Sequence, residues 1–160
     1  MKSNDCLRRL RFILDYDDAA MRETFTHAGG NVSAAELSAW LKKDDDPEFA
    51  VCADQQFATF LNGLINRKRG KKDGPQPEPE LKLNNNLVFR KLKIAFDLQS
   101  DEILALLASV DMHISKHELS AFFRRADNKH YRACKDQVLR NFLSGLQLQL
   151  RGGSVGSVGR

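Results

Sequence analysis

The 160-residue sequence predicts an all-α protein built from two tandem four-helix repeats packed against each other. Three observations carry that prediction. Sliding the chain on itself by 82 residues, without a gap, lays residues 3–70 over 85–152 with 19 of 68 positions identical. Chance would give roughly one position in sixteen, so the chain contains one unit written twice. Within each copy, apolar residues recur at the i, i+3, i+4, i+7 spacing of helices almost throughout. Finally, a unit of about 70 residues buries only a marginal core alone, so the copies are expected to share an interface.

Each element has its own signals. The first helix of the first copy carries Leu7, Leu10, Ile13 and Leu14 behind Ser3 and Asn4 as capping candidates. Its counterpart carries Phe89, Leu92 and Phe96 behind Asn85 and Asn86. In the second helix Met21, Phe25 and Ala28 share a face, matched by Ile103, Leu107 and Val110. Asp17 with Asp18, and Ser100 with Asp101, supply start signals, and the acidic residues add charge favourable to the helix dipole. The third helix opens on a capping box in both copies, Ser33 with Glu36 and Ser115 with Glu118. Leu37, Trp40 and Leu41, mirrored by Leu119, Phe122 and Phe123, then enter the core. The fourth helix shows its stripe as Phe57, Phe60, Leu61 and Leu64, and again as Leu139, Phe142, Leu143 and Leu146. Gly63 and Gly145 interrupt that stripe. Glycine costs about 1 kcal/mol against alanine there, so a close helix crossing is expected to compensate.

These elements divide the chain into a first repeat over 1–70, a Pro-rich linker over 71–82, a second repeat over 83–152 and a Gly- and Ser-rich disordered tail over 153–160. The net charge of +4 is uneven: about −1 over 1–70, zero over 71–82 and about +5 over 83–160. No apolar run approaches the roughly 18 residues of a membrane span, and the N-terminal residues lack the apolar core of a secretory signal. A cytoplasmic protein without a membrane partner is expected.

Signatures of chemistry are absent. Cys6, Cys52 and Cys134 form no CxxC pair, and their odd number argues against a disulfide framework. Asp44, Asp45 and Asp46 lack the alternation, glycine and distal glutamate of a calcium loop, and the second copy reads Ala126-Asp127-Asn128 there. There is no phosphate loop, dinucleotide fingerprint or HExxH, and the one GxSxG match, residues 152–156, falls in the Gly- and Ser-rich tail with no strand pattern before it. No catalytic, metal or cofactor residue is therefore assigned, and a non-enzyme without cofactor is expected.

Two groups of residues remain as candidate sites. The first is the repeated motif Cys52, Asp54, Gln55 and Cys134, Asp136, Gln137. A catalytic thiol would need a base, and His27, His113, His117 and His130 each occur in one copy only. The expected reading is structural: the cysteine packs as a small apolar residue, the aspartate caps the fourth helix and the glutamine bonds loop backbone. The second group is basic. Arg124, Arg125, Lys129, His130, Arg132, Lys135 and Arg140 follow the second copy's third helix, and Arg90, Lys91 and Lys93 lie on its first. Of the residues after the third helix, the first copy matches only two, with Lys42 and Lys43. Helices two and three, separated by Gly29-Gly30-Asn31 or Asp111-Met112-His113, have the outline of a helix-turn-helix. DNA or RNA binding is thus the alternative to the leading expectation, an interaction module for an unidentified protein partner.

The segments Leu37-Ser38-Ala39-Trp40-Leu41-Lys42-Lys43, Cys52-Ala53-Asp54-Gln55, Phe60-Leu61-Asn62-Gly63-Leu64 and Asn84-Asn85-Asn86, with Arg90-Lys91-Leu92-Lys93-Ile94-Ala95-Phe96, resemble the YehS-like bacterial proteins. The resemblance covers residues 3–152. It implies a bacterial cytosolic protein with a duplicated helical domain of unknown function, and it supplies no catalytic or ligand residues.

Overall fold

The computed structural model describes residues 1–152, and the expected tail over 153–160 lies outside them. Among the described residues there are eight α-helices and no strand: α1 Ser3–Leu14, α2 Asp18–Thr26, α3 Ala34–Leu41, α4 Asp54–Arg69, α5 Asn85–Ala95, α6 Ser100–Ala108, α7 Lys116–Ala121 and α8 Asp136–Arg151. None is long and apolar enough to cross a membrane.

Helix starts are set partly by the expected caps. Asp17 accepts from the Ala20 amide at 2.8 Å, and both serine–glutamate boxes are closed in both directions at 3.0 or 3.1 Å. Three expectations are corrected. Ser3 and Asn4 are not caps but buried residues inside α1, and the cap of α5 is Asn84, which accepts from the Leu87 amide at 2.8 Å. Asp54 and Asp136 do not cap α4 and α8; they are the first helical residues, and Ala53 and Lys135 hold the cap positions without a side-chain bond. Residues 27–33 separate α2 from α3, and 109–115 separate α6 from α7. Those connections exceed the three or four residues of a helix-turn-helix. Their third helices are also short, and the second copy's is only Lys116–Ala121.

Within the first repeat, α4 packs on α2 while α1 and α2 both meet α3; in the second, α8 packs on α6, and α6 meets α7. Phe25 lies between Trp40 and Phe60, with ring centroids at 5.9 and 5.2 Å. Phe89 is packed similarly against Phe122, Phe123 and Phe142 at 6.3, 5.0 and 4.7 Å. Such aromatic clusters combine large apolar burial with tilted ring contacts.

The repeats meet along two seams, α1 with α8 and α4 with α5. Adding 82 to every residue of the first repeat turns one seam into the other, so the copies are related by a pseudo-twofold axis; stacking by translation would leave a single seam. Polar contacts obey the same exchange. Arg9 donates to Ser144 Oγ at 3.1 Å, as its twin Lys91 donates to Asn62 Oδ1 at 2.6 Å. Arg151 meets Asp15 at 3.1 Å, as Arg69 meets Asp97 at 3.0 Å. Asp15 and Asp97 follow their first helices at φ 56° and 54°, a left-handed conformation that aspartate tolerates better than most residues.

The two interrupting glycines are explained by close crossings, as expected. A Cβ on Gly63 would lie 1.8 Å from the Thr24 carbonyl oxygen of α2, and one on Gly145 would lie 2.3 Å from the Leu106 carbonyl oxygen of α6. These are equivalent contacts of the fourth helix on the second.

Candidate functional site

The repeated cysteine motif is held by a residue outside it. Asn4 Nδ2 donates to the Trp40 and Ala50 carbonyls, both at 3.0 Å, and its Oδ1 accepts the Cys52 amide at 3.0 Å. Asn86 does the same to Phe122 O at 3.0 Å, Arg132 O at 2.8 Å and the Cys134 amide at 2.9 Å. Each asparagine thereby ties the first helix to the end of the third and to the segment leading into the fourth. The backbone bonds Ala50 N to Ala39 O and Arg132 N to Ala121 O, both 3.2 Å, fold that segment back on the third helix.

The aspartates of the motif join segments across the repeat boundary. Asp54 accepts Ser3 Oγ at 3.0 Å through Oδ1 and the Leu83 amide at 2.8 Å through Oδ2. Asp136 Oδ1 accepts Asn85 Nδ2 at 2.8 Å and the Met1 ammonium at 2.7 Å, so the ammonium stands where the Leu83 amide stands in the other half. These bonds, from the ammonium first and then Asn85, hold the Asp136 carboxyl below its ordinary pKa. Gln55 and Gln137 are exposed, and Gln137 donates to Asn141 Oδ1 at 3.3 Å rather than to loop backbone.

All three cysteines are free and buried. Burial pushes each thiol up to about 12, so the nucleophilic thiolate is scarce at neutral pH. Negligible reaction of the native protein with a thiol reagent at neutral pH is expected, with all three groups titrating in denaturant; rapid native labelling of Cys52 or Cys134 would contradict this packing. The folded thiol pKa values lie above the ordinary value of 9.0. Their stabilising contribution is therefore full below about pH 9 and is lost as pH rises toward 12.

The basic candidates separate into several surroundings. Arg90, Arg124 and Arg125 come together at one cleft of about 260 Å³, beside Phe122 and Tyr131. Arg90 donates to Phe123 O at 2.7 Å, and Arg125 pairs with Asp127 at 3.3 Å. Lys93 lies over the Phe123 ring at 4.9 Å, while Lys91 is tied to Asn62 and Glu80 across the α4–α5 seam. Lys129, Arg132 and Lys135 are exposed on the segment between α7 and α8. Arg140 is on the other seam, 3.7 Å from Asp136. The outward residues of α3, Ala34, Ala35, Glu36 and Ser38, are not basic, whereas α7 exposes Lys116 and His117, so only the second repeat presents basic side chains on its third helix. Among the described residues, no group of three or more His, Cys, Asp or Glu side chains is placed to hold a metal ion. Asp46 instead closes a turn by accepting the Glu48 amide at 2.8 Å, as Asn128 does for His130.

A cleft of about 470 Å³ opens on the α1–α8 seam, lined by Met1, Asp5, Arg8, Arg9, Phe12, Arg140 and Gln147. Only Arg140 of these is among the basic candidates; Arg8 and Arg9 belong to the nearly neutral first half and are brought to Arg140 by the pseudo-twofold packing. Arg8 is committed to Asp5 and to Lys42 O at 2.8 Å. Arg9 makes its bond to Ser144 and no ion pair among the described residues. The equivalent α4–α5 seam is partly covered by the linker, which leaves a pocket of about 460 Å³ where Ile65 and Ile94 face Pro75, Gln76 and Pro77, and Glu80 reaches Lys91 at 3.0 Å.

Comparison with known proteins agrees with this duplication. A family described as "Protein of unknown function (DUF1456)" matches the chain twice, over residues 3–70 and 85–152. The "Uncharacterized protein YehS" of Escherichia coli (strain K12) is 42% identical over 147 residues, covering 91% of this chain and 94% of that protein. No solved structure matches. With both copies matched and the similarity nearly full-length, the chain belongs to the YehS family, DUF1456.

Proposed function

We propose that the protein is a non-enzymatic interaction module of the bacterial cytoplasm, working without a cofactor, and that a protein partner binds the α1–α8 cleft. One observation carries the reading: two seams with equivalent helices differ in that one is partly covered by the chain's own linker and the other is open. Affinity capture from lysate of a bacterium that carries the protein tests it. Partners retained by the native chain are expected to be lost from a folded Arg9→Glu, Arg140→Glu variant. A purely monomeric protein that enriches nothing, or retention unchanged by the double variant, overturns the reading.

The gathering of Arg90, Arg124 and Arg125 at one cleft favours a second reading, nucleic-acid binding through the second repeat. It requires salt-dependent retention of DNA or RNA that disappears on Arg124→Glu with Arg125→Glu. Absence of binding at low salt would remove it.

A further inference from the structure

The partly covered seam is a template for the occupant of the open one. Over α4 and α5 the linker runs without helix or strand, bends at residues 73–74 and 81–82, and is punctuated by prolines between them. Asn66 Nδ2 donates to Gln76 Oε1 at 3.3 Å, Pro75 and Pro77 line the pocket with Ile65 and Ile94, and the Glu80 carboxylate rests on Lys91 at 3.0 Å. Prolines restrict such a segment before it docks and so lower its ordering cost, and the carboxylate fixes its position.

The open cleft repeats the receiving half of this arrangement. Arg9 replaces Lys91, Ser144 replaces Asn62 and Phe12 replaces Ile94 at the equivalent positions. The bond from the cation across the seam is kept, at 3.1 Å in place of 2.6 Å. What no described residue supplies is a carboxylate on Arg9, since Asp5 of the same lining pairs with Arg8 and Asp136 with Arg140. Arg9 is largely buried, and burial first and then the nearby Arg140 make its charged form less favourable than in water. Arg9, in no ion pair among the described residues, and the half-exposed Arg140, 3.7 Å from Asp136, line one cleft whose charge suits an anion.

Resting on the protein-interaction reading, we propose that the α1–α8 cleft binds an extended, acidic, proline-containing segment of a partner protein. A carboxylate of that segment sits on Arg9 and Arg140, and its apolar residues lie on Phe12, as the linker lies on the opposite seam. Arginine suits the role because its planar group pairs with a carboxylate through two parallel bonds.

The test uses the full chain and a fluorescent synthetic peptide with the sequence of residues 73–82, read by anisotropy at low salt. Saturable binding is expected, weakening as salt rises. Arg9→Glu should reduce affinity by about tenfold or more, Arg9→Lys should retain part of it, and Lys91→Glu should leave it in place, with folding of each variant checked by circular dichroism. A peptide with glutamine for both glutamates should bind at least about tenfold more weakly. No binding, or binding indifferent to Arg9→Glu, overturns the proposal. So does an Arg9-dependent complex with single-stranded RNA or duplex DNA where the peptide fails, or a dimer in sedimentation that is abolished by Glu80→Gln. Lysate partners lost on Arg9→Glu without peptide binding would overturn the acidic chemistry and leave the interaction reading standing; failure of both would overturn both.

Discussion

Gly63→Ala is expected to lower the unfolding free energy by about 3 kcal/mol or more, the reverse of alanine's usual effect in a helix. Alanine ordinarily gains about 1 kcal/mol over glycine at an interior helical position. Here the added carbon would stand 1.8 Å from the Thr24 carbonyl oxygen, and no side-chain rotation relieves that contact because the backbone fixes the Cβ position and its partner is backbone. Relief requires α4 and α2 to move apart, loosening the packing of Met21, Phe25, Phe60 and Leu64, all essentially fully buried. Gly145→Ala meets the Leu106 carbonyl oxygen at 2.3 Å and should lose somewhat less. Urea unfolding and thermal melting measure both effects. A loss of this size corresponds to a melting-point fall of roughly 6–12 °C in a chain of this length. Gln149→Ala, at an exposed position of the same helix as Gly145, should change stability by no more than about 0.5 kcal/mol. An alanine at Gly63 that leaves the melting point unchanged would mean that the crossing is wider than described.

The glycines were readable because their cause is periodic. A residue that breaks helix propensity at the same place in both copies points to a backbone approach, even before its partner is known. The duplication likewise revealed the helices, the two serine–glutamate capping boxes and the aromatic cores. What was misread depends on contacts distant in the chain. Ser3 and Asn4 look like caps because serine and asparagine precede an apolar stripe, but Asn4 bonds Trp40 O, a partner 36 residues away. Asp54 likewise appears at a helix start while its bonds run to Ser3 and to the Leu83 amide. The basic residues were grouped by proximity in the chain, whereas packing sends Lys91 to Glu80, Lys93 to the face of Phe123 and Arg140 to a cleft with Arg9. Arg9 and Arg140 lie near opposite ends of the sequence, so charge counted along the chain could not find that cleft. The exchange of seams by the pseudo-twofold axis was the missing information.

The second large effect belongs to the asparagines. Asn86→Ala should cost about 3 kcal/mol, since it removes two donors from the Phe122 and Arg132 carbonyls and the acceptor of the Cys134 amide. Each buried group left unpaired costs roughly 1–3 kcal/mol; the Arg132 carbonyl, on an exposed residue, regains water and reduces the sum. Asn4→Ala should behave equivalently through Trp40, Ala50 and Cys52. Asn86→Asp separates loss of bonds from loss of volume. Its carboxylate still accepts the Cys134 amide but turns an oxygen toward two carbonyl oxygens, so it should be worse than alanine at neutral pH. Burial and those carbonyls would raise the folded pKa of the new carboxyl above its unfolded value near 4. Its penalty is then smallest below about pH 4 and grows as pH rises through the folded pKa, a trend that urea titrations at several pH values would reveal. Thiol chemistry locates the damage. In Asn86→Ala the segment over Cys134 loses its tie to α5 while Cys6 keeps its packing in α1, so one thiol should become reactive in the native state before the others. Uniform protection of all three, or their simultaneous exposure, would show that the asparagine does not hold this segment individually.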